Sequence, residues 1–142
     1  MRRLLAADDV ALTPSGLSAV VCAVAGHMRQ GARLLVDGGT YYETRSSLRF
    51  LAKREGWHVA EADLSSVDDI DRLSAEKFDV ILCDHPRNWL LSTPDLDALG
   101  ELARKHSALR IVDTSVQPLQ PLTALGLADI VVCSLSKYPS GR

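Results

Sequence analysis

The sequence predicts an open α/β fold, a three-layer α/β/α arrangement with a mostly parallel sheet. Short apolar runs alternate along the chain with amphipathic stretches, which is typical of repeated strand–helix–strand units. Most of these runs are apolar throughout, and this indicates strands that helices cover on both faces. The length of 142 residues, with 46% hydrophobic and 24% charged residues, is typical of one soluble globular domain.

Five apolar runs are the predicted strands, at 33–37, 58–60 with its neighbours, 79–83, 109–113 and 129–134. Between them the pattern predicts helices over 15–29, 44–55, 66–74, 94–106 and a shorter stretch near 122–126. The fourth helix has the clearest ends. Thr93 is a candidate N-cap with Pro94 at the first helical position, and residues 104–106 are basic, which the negative end of a helix dipole favours.

Charge and cysteine content exclude several classes of function. The net charge of -2 and the pI near 6.0 give no global field that would attract nucleic acid or an anionic membrane. Cys22, Cys83 and Cys133 lie far apart, without disulfide or zinc spacing, which indicates a reducing compartment. His27, His58 and His106 have no ligand partner at helical spacing, and we expect His85, in a strand-end loop, to lie at the surface, so we expect no metal site.

The N-terminus has neither a secretory nor a transit pattern. The longest apolar run, 19–25, is far short of the roughly 20 residues that span a bilayer. We therefore expect a cytoplasmic protein without a membrane or nucleic-acid partner.

Polar clusters follow the predicted strands, where open α/β folds collect their functional groups. They are residues 37–44, 84–88, 113–117 and 134–137, and a further cluster, 13–18, opens the first helix. Lys137 stands beside the hydroxyls of Ser134 and Ser136 just after the last strand. A partly buried lysine there would be a nucleophilic amine that forms imines, whereas the alternative is an ordinary solvated lysine.

Three more residues are candidates for holding a planar, ring-shaped ligand. Asp113 either caps the turn that follows it, pairs with a cation, or binds a basic ring nitrogen. Tyr41, in the loop with Tyr42, either stacks on a planar ligand or packs on the next helix. Asn88 either bonds a ligand hydroxyl or closes a turn.

The segment 13–18 reads as a turn that enters a helix. The first backbone N–H groups of that helix, with Gly16 permitting close approach, make a candidate phosphate site. An ordinary N-cap explains the segment equally well, and it matches neither a Walker A loop nor a Gly-x-Gly-x-x-Gly fingerprint.

In chain order, these segments resemble the cofactor-binding domain of the Cys/Met-metabolism family of pyridoxal-phosphate enzymes. This family includes the cystathionine synthases and lyases and methionine γ-lyase. The resemblance extends from about residue 12 to the end, through LTPSGLSAV, DGGTYYETRSSL, DHPRNW, IVDTSVQPLQPL, GLADIVVCSLSKY and SGR. It implies the large domain of a fold-type I enzyme, incomplete here, with pyridoxal 5'-phosphate as cofactor.

The resemblance also implies a role for each candidate residue. Lys137 resembles the lysine that holds the cofactor as a Schiff base and moves the α-proton. Asp113 matches the acid at the pyridinium nitrogen, and Tyr41 falls on the tyrosine that stacks on the ring. The groups that match the family's phosphate ligands are the hydroxyls of Ser134 and Ser136 and the backbone N–H groups of Gly16 and Leu17. Asn88 matches the asparagine near the cofactor's phenolic oxygen.

Four short segments depart from the family pattern. The residues after Asp113 read Thr-Ser instead of Asn-Thr, and those after Tyr41 read Tyr-Glu-Thr instead of Gly-x-Thr. Trp89 replaces a common proline, and residues 139–142 replace a Gly-Gly-His-like ending. These departures bear on the tuning of the site and on substrate choice.

The activity implied is that of a transsulfuration-type enzyme. Such an enzyme forms an external aldimine with a sulfur-containing amino acid, removes its α-proton, and eliminates or replaces a group at Cβ or Cγ. Family members are longer, with an N-terminal arm and a C-terminal domain, and we expect 1–142 to lack both. The expected partners are an amino-acid substrate and either a second copy in a homo-oligomer or a complementary chain.

Two alternatives stay open. The chain is a catalytically inactive remnant or a partner subunit that associates with a related chain, or it is a nucleotide-binding α/β domain. The second alternative has the expected architecture but no glycine fingerprint.

Overall fold

A computed structural model describes residues 7–88, 91–117 and 126–137. Strands and helices alternate through this part of the chain as far as β4, as the sequence predicts. In order they are α1 (Gly16–Ala25), β1 (Arg33–Asp37), α2 (Tyr42–Glu55), β2 (His58–Ala62), α3 (Val67–Leu73), β3 (Val80–Asp84), α4 (Leu96–His106), β4 (Leu109–Asp113) and β5 (Ile130–Val132).

The strands form one parallel sheet in the order β2-β1-β3-β4-β5. The first strand, β1, therefore lies inside the sheet. The chain adds β2 on one side of β1 and then crosses to add β3, β4 and β5 on the other side. Ligands of open parallel sheets bind at the point where the strand order reverses, outside the carboxyl ends of the strands. Here that crevice lies between the loops that follow β1 and β3.

Alternate residues of each strand enter two separate cores. Leu34, Leu82 and Ile111 pack with residues of α1 and α2, whereas Leu35 and Ile81 pack with residues of α3 and α4. Helices therefore cover both faces of the sheet, and the predicted three-layer α/β/α fold is confirmed. In the described part of the chain, no helix is long and apolar enough to cross a membrane.

Several element ends differ from the prediction. The N-cap of α4 is Asp95, not Thr93, because the Asp95 carboxylate accepts the backbone N–H of Ala98 at 2.9 Å. Helix α1 ends at Ala25, and β5 is shorter than the predicted run. The predicted helix near 122–126 lies almost wholly outside the described residues.

Candidate functional site

Three aspartates end neighbouring strands at the same edge of the sheet. Asp37 ends β1, Asp84 ends β3 and Asp113 ends β4. The register pairs Asp84 directly with Asp113, so both side chains lie on one face of the sheet. Because side chains alternate along a strand, this is the face that α1 and α2 cover, and Asp37 lies on the opposite face.

The carboxylates of Asp84 and Asp113 are both buried, with exposed fractions of 6% and 9%. Burial, with a smaller contribution from the charge of Asp113, raises the pKa of Asp84 to about 7. The backbone N–H of Tyr41 opposes this shift by donating to Asp84 Oδ2 at 2.9 Å. Burial also raises the pKa of Asp113, against a hydrogen bond from the Ser115 N–H at 2.8 Å. Such a pair favours a cationic group as its partner.

The start of helix α1 lies against the segment that follows β5. A Cβ added to Gly16 would stand 2.9 Å from the Cβ of Ser134, so only glycine permits this approach. Ser15 caps the helix by accepting the Ser18 N–H at 3.1 Å. The hydroxyls of Ser134 and Ser136 lie 2.9 Å apart. Hydroxyls therefore meet the positive end of a helix here, which is the chemistry that binds phosphate.

A cavity of about 970 Å³ opens beside this contact, and Gly16, Ser134 and Ser136 contribute to its lining. Its other walls come from residues 7–15, from Ala19, Cys22 and Ala23 of α1, and from β5. A volume of this size admits a ligand of cofactor size.

The turn that carries Lys137 is connected by hydrogen bonds to the loop after Asp113. The Lys137 backbone N–H donates to the Ser134 carbonyl at 3.2 Å, and the Ser134 N–H donates to Ser115 Oγ at 2.8 Å. Ser115 in turn donates its N–H to Asp113. The Lys137 side chain is exposed.

The ring of Tyr41 is 42% exposed at the start of α2, and that of Tyr42 is 61% exposed. The backbone of Tyr41 is held by its bond to Asp84, so this exposed ring stands at the edge that carries the two buried carboxylates. Asn88 lies half-buried in the loop after β3. Leu17, in the first turn of α1, is 38% exposed.

Sequence reasoning assigned no role to Asp84 or Arg87. Arg87 is 6% exposed, and its guanidinium makes two parallel bonds to the fully buried Asp37, with Nε to Oδ2 at 2.8 Å and Nη2 to Oδ1 at 3.0 Å. A carboxylate at the end of each of β1, β3 and β4 was the available signal for Asp84. For Arg87 the signal was a cation in the strand-end cluster 84–88. Among the described residues, no group of three or more potential ligands could hold a metal ion.

The sequence profile of the Cys/Met metabolism PLP-dependent enzymes matches residues 1–142. The chain belongs to this family. The cofactor of this family is pyridoxal 5'-phosphate.

Two relatives show the extent of the match. The chain is 34% identical over 152 residues to alanine racemase ungC from Aspergillus violaceofuscus, covering 99% of this chain and 25% of that protein. It is 33% identical over 133 residues to cystathionine gamma-synthase from Escherichia coli, covering 92% and 34%.

Among solved structures, the chain is similar to cystathionine gamma synthase from Xanthomonas oryzae pv. oryzae in complex with aminoacrylate and cysteine. The TM-score is 0.90 at 26% identity, over 99% of this chain and 37% of that one. The chain thus spans between 25% and 37% of the length of these three proteins.

The side chains present fit the chemical groups of the family's cofactor. Gly16 approaches Ser134 so closely that a Cβ would not fit between them, and this contact sets hydroxyls at a helix start, as a phosphate requires. The buried carboxylate of Asp113 suits a basic ring nitrogen. The exposed ring of Tyr41 suits a planar ring as a stacking partner.

Proposed function

We propose that this chain is the cofactor-binding part of an enzyme that acts on sulfur-containing amino acids, by elimination or replacement at Cβ or Cγ. Residues 1–142 would belong to the large domain of such an enzyme. The family supports this, as does the naming of its relatives as cystathionine gamma-synthases and beta-lyases. The observation that carries the proposal is the hydrogen-bonded connection from Asp113 through Ser115 to Ser134, because it joins a ring site to a phosphate site.

In this proposal Asp113 binds the ring nitrogen, and its negative charge holds a proton there. When bound, the cofactor supplies a protonated ring that draws electrons from the substrate's Cα. Lys137 would hold the cofactor through its aldehyde carbon, and the Lys137 amine would take up the proton at the substrate's Cα.

The other candidate residues orient the cofactor. Tyr41 covers one face of the ring, and Asn88 donates to the phenolic oxygen. The phosphate is held by the hydroxyls of Ser134 and Ser136 and by the first backbone N–H groups of α1, at Gly16 and Leu17. The chain would associate with a second copy of itself or with a complementary polypeptide.

The test is the covalent attachment of pyridoxal phosphate. We expect the purified chain to develop a visible absorbance band with the cofactor, and borohydride to fix the cofactor on Lys137, as peptide mass spectrometry would show. Lys137→Ala abolishes both signals, whereas the control Lys77→Ala, an exposed lysine ahead of β3, keeps them. No band in the wild-type chain, or an unchanged band in Lys137→Ala, would refute the proposal.

A second candidate function is amino-acid racemisation, favoured by the 34% identity to a relative named alanine racemase. Both reactions begin with removal of the proton at Cα, so the same residues serve either. Incubation with L-cystathionine and, separately, with L-alanine distinguishes them. Release of a 2-oxo acid from cystathionine supports the first function, and formation of D-alanine without a 2-oxo acid supports the second.

A further inference from the structure

The side chain of Arg87 connects the loops that follow three neighbouring strands. Its Nε and Nη2 bind both carboxylate oxygens of Asp37 at the end of β1. Its Nη1 donates to Ser65 Oγ at 2.7 Å and lies 2.9 Å from Asp63 Oδ1, both in the loop after β2. Arg87 itself belongs to the loop after β3. One guanidinium thus joins the carboxyl ends of β1, β2 and β3.

This pair is buried more deeply than the other ion pairs of the described residues, with side-chain exposures of 8% for Arg87 and 0% for Asp37. Removing two charges from water costs free energy, and the attraction between the charges does little more than offset that cost. A buried pair is therefore weak evidence for stability. Fixing one arrangement among several is the better-attested role of such pairs. Here the arrangement in question is that of the loops after β1 and β3.

Arg87 lies directly on the backbone of the loop that leads to Tyr41. A Cβ on Gly39 would stand only 2.2 Å from Arg87 Nε, so the guanidinium occupies the space of a side chain at that position. The Asp37 carbonyl also accepts the Thr40 N–H at 3.0 Å, one residue before Tyr41. The position of the 38–41 loop therefore depends on the Asp37–Arg87 pair.

The same residue holds the loop that carries Asn88. The Arg87 backbone N–H donates to the Ser92 carbonyl at 2.8 Å, and the Arg87 carbonyl accepts the Leu91 N–H at 3.2 Å. Asn88 follows Arg87 directly in the chain, so a displacement of the guanidinium displaces Asn88.

We propose that Arg87 is a positioning residue for cofactor binding, which holds the loops 38–41 and 85–88 together so that Tyr41 and Asn88 address the same ring. The identity of the ligand rests on the proposed function. The pair contacts neither Ser134 nor Gly16 in the described structure, so the proposal separates ring binding from phosphate binding.

The experiment compares Arg87→Met and Arg87→Lys with Arg110→Met. Arg110 is a matched control, because it also makes a two-bond pair with an aspartate, Asp129, at 3.1 and 3.2 Å, at the opposite edge of the sheet. The dissociation constants of pyridoxal phosphate and of inorganic phosphate are measured for each variant. Amide spectra of the protein without cofactor report on Tyr41 and Asn88.

In Arg87→Met we expect the dissociation constant of pyridoxal phosphate to rise at least about tenfold, a loss of about 1.4 kcal/mol. That of inorganic phosphate stays within about twofold. Arg87→Lys recovers part of the loss, and Arg110→Met shows none. The amide signals of Tyr41 and Asn88 shift in Arg87→Met and stay in place in Arg110→Met.

Equal losses for the two ligands would mean that Arg87 acts only on general stability, and would overturn the proposal, as would unchanged signals of Tyr41 and Asn88. If Arg87→Met does not fold, Asp37→Asn/Arg87→Met, which leaves no unpaired buried charge, takes its place under the same criteria. If the wild-type chain binds phosphate but not pyridoxal phosphate, the proposed function fails, and the amide signals alone decide whether Arg87 positions the two loops.

Discussion

The buried carboxylate of Asp84 makes folding stability depend on pH in an unusual direction. Asp84 is 6% exposed and lies beside Asp113 in the sheet register. Burial raises its pKa from the ordinary value of 3.8 to about 7. Between these two pH values the folded chain holds a proton that the unfolded chain releases. The contribution of Asp84 to the free energy of unfolding is therefore largest at low pH and falls as the pH rises through about 7.

The size of this effect follows from the shift. Each pKa unit corresponds to about 1.4 kcal/mol, so the full shift of Asp84 is worth roughly 4 kcal/mol. Roughly 2.5 kcal/mol of this is lost between about pH 5 and about pH 8. Asp113, whose pKa burial also raises, acts in the same direction. A domain of this size has a total stability of about 5 to 15 kcal/mol, so the loss is measurable.

The assay is urea unfolding at about pH 5 and about pH 8, followed by circular dichroism. We expect the wild-type chain to be less stable at the higher pH, and Asp84→Asn to remove most of that difference. The amide oxygen of asparagine still accepts the Tyr41 N–H, so the variant changes the charge and keeps the hydrogen bond. Asp71→Asn, at an exposed position, serves as the control. A wild-type dependence that survives in Asp84→Asn would refute the reasoning.

Two glycine substitutions test the close contacts of the site. Gly16→Ala forces a Cβ against Ser134, so we expect inorganic phosphate and pyridoxal phosphate to bind about tenfold more weakly. Gly100→Ala, whose Cβ meets only the Arg110 side-chain end, leaves both titrations unchanged, and equal effects of the two variants would contradict the phosphate site. Gly39→Ala pushes the Arg87 guanidinium off its partner and lowers the free energy of unfolding by about 3 kcal/mol. An unaltered urea midpoint in Gly39→Ala would contradict this expectation, because it would mean that the guanidinium moves without a loss of stability.

The local sequence pattern predicted the elements and the ends of two strands, but it did not predict where α4 begins. The strands at 33–37 and 109–113 have the predicted bounds, because a short apolar run between polar residues specifies a buried strand without reference to the rest of the chain. The start of α4 was wrong by two residues. Thr93 and Asp95 are both good N-caps in sequence, and only the structure shows that Asp95 reaches the free N–H of Ala98.

The sequence alone determined that polar groups such as Asp113 would stand at strand ends, since the period of the apolar pattern locates those ends. Its resemblance to a family supplied roles for Lys137, Tyr41 and the other candidates, and these roles stay predictions. Only the tertiary structure decided which strand ends meet. It set β1 beside β3, which brought Asp37 to Arg87 across a separation of 50 residues, and it paired Asp84 with Asp113. Strand order depends on how whole layers pack, and no local spacing in the chain encodes it.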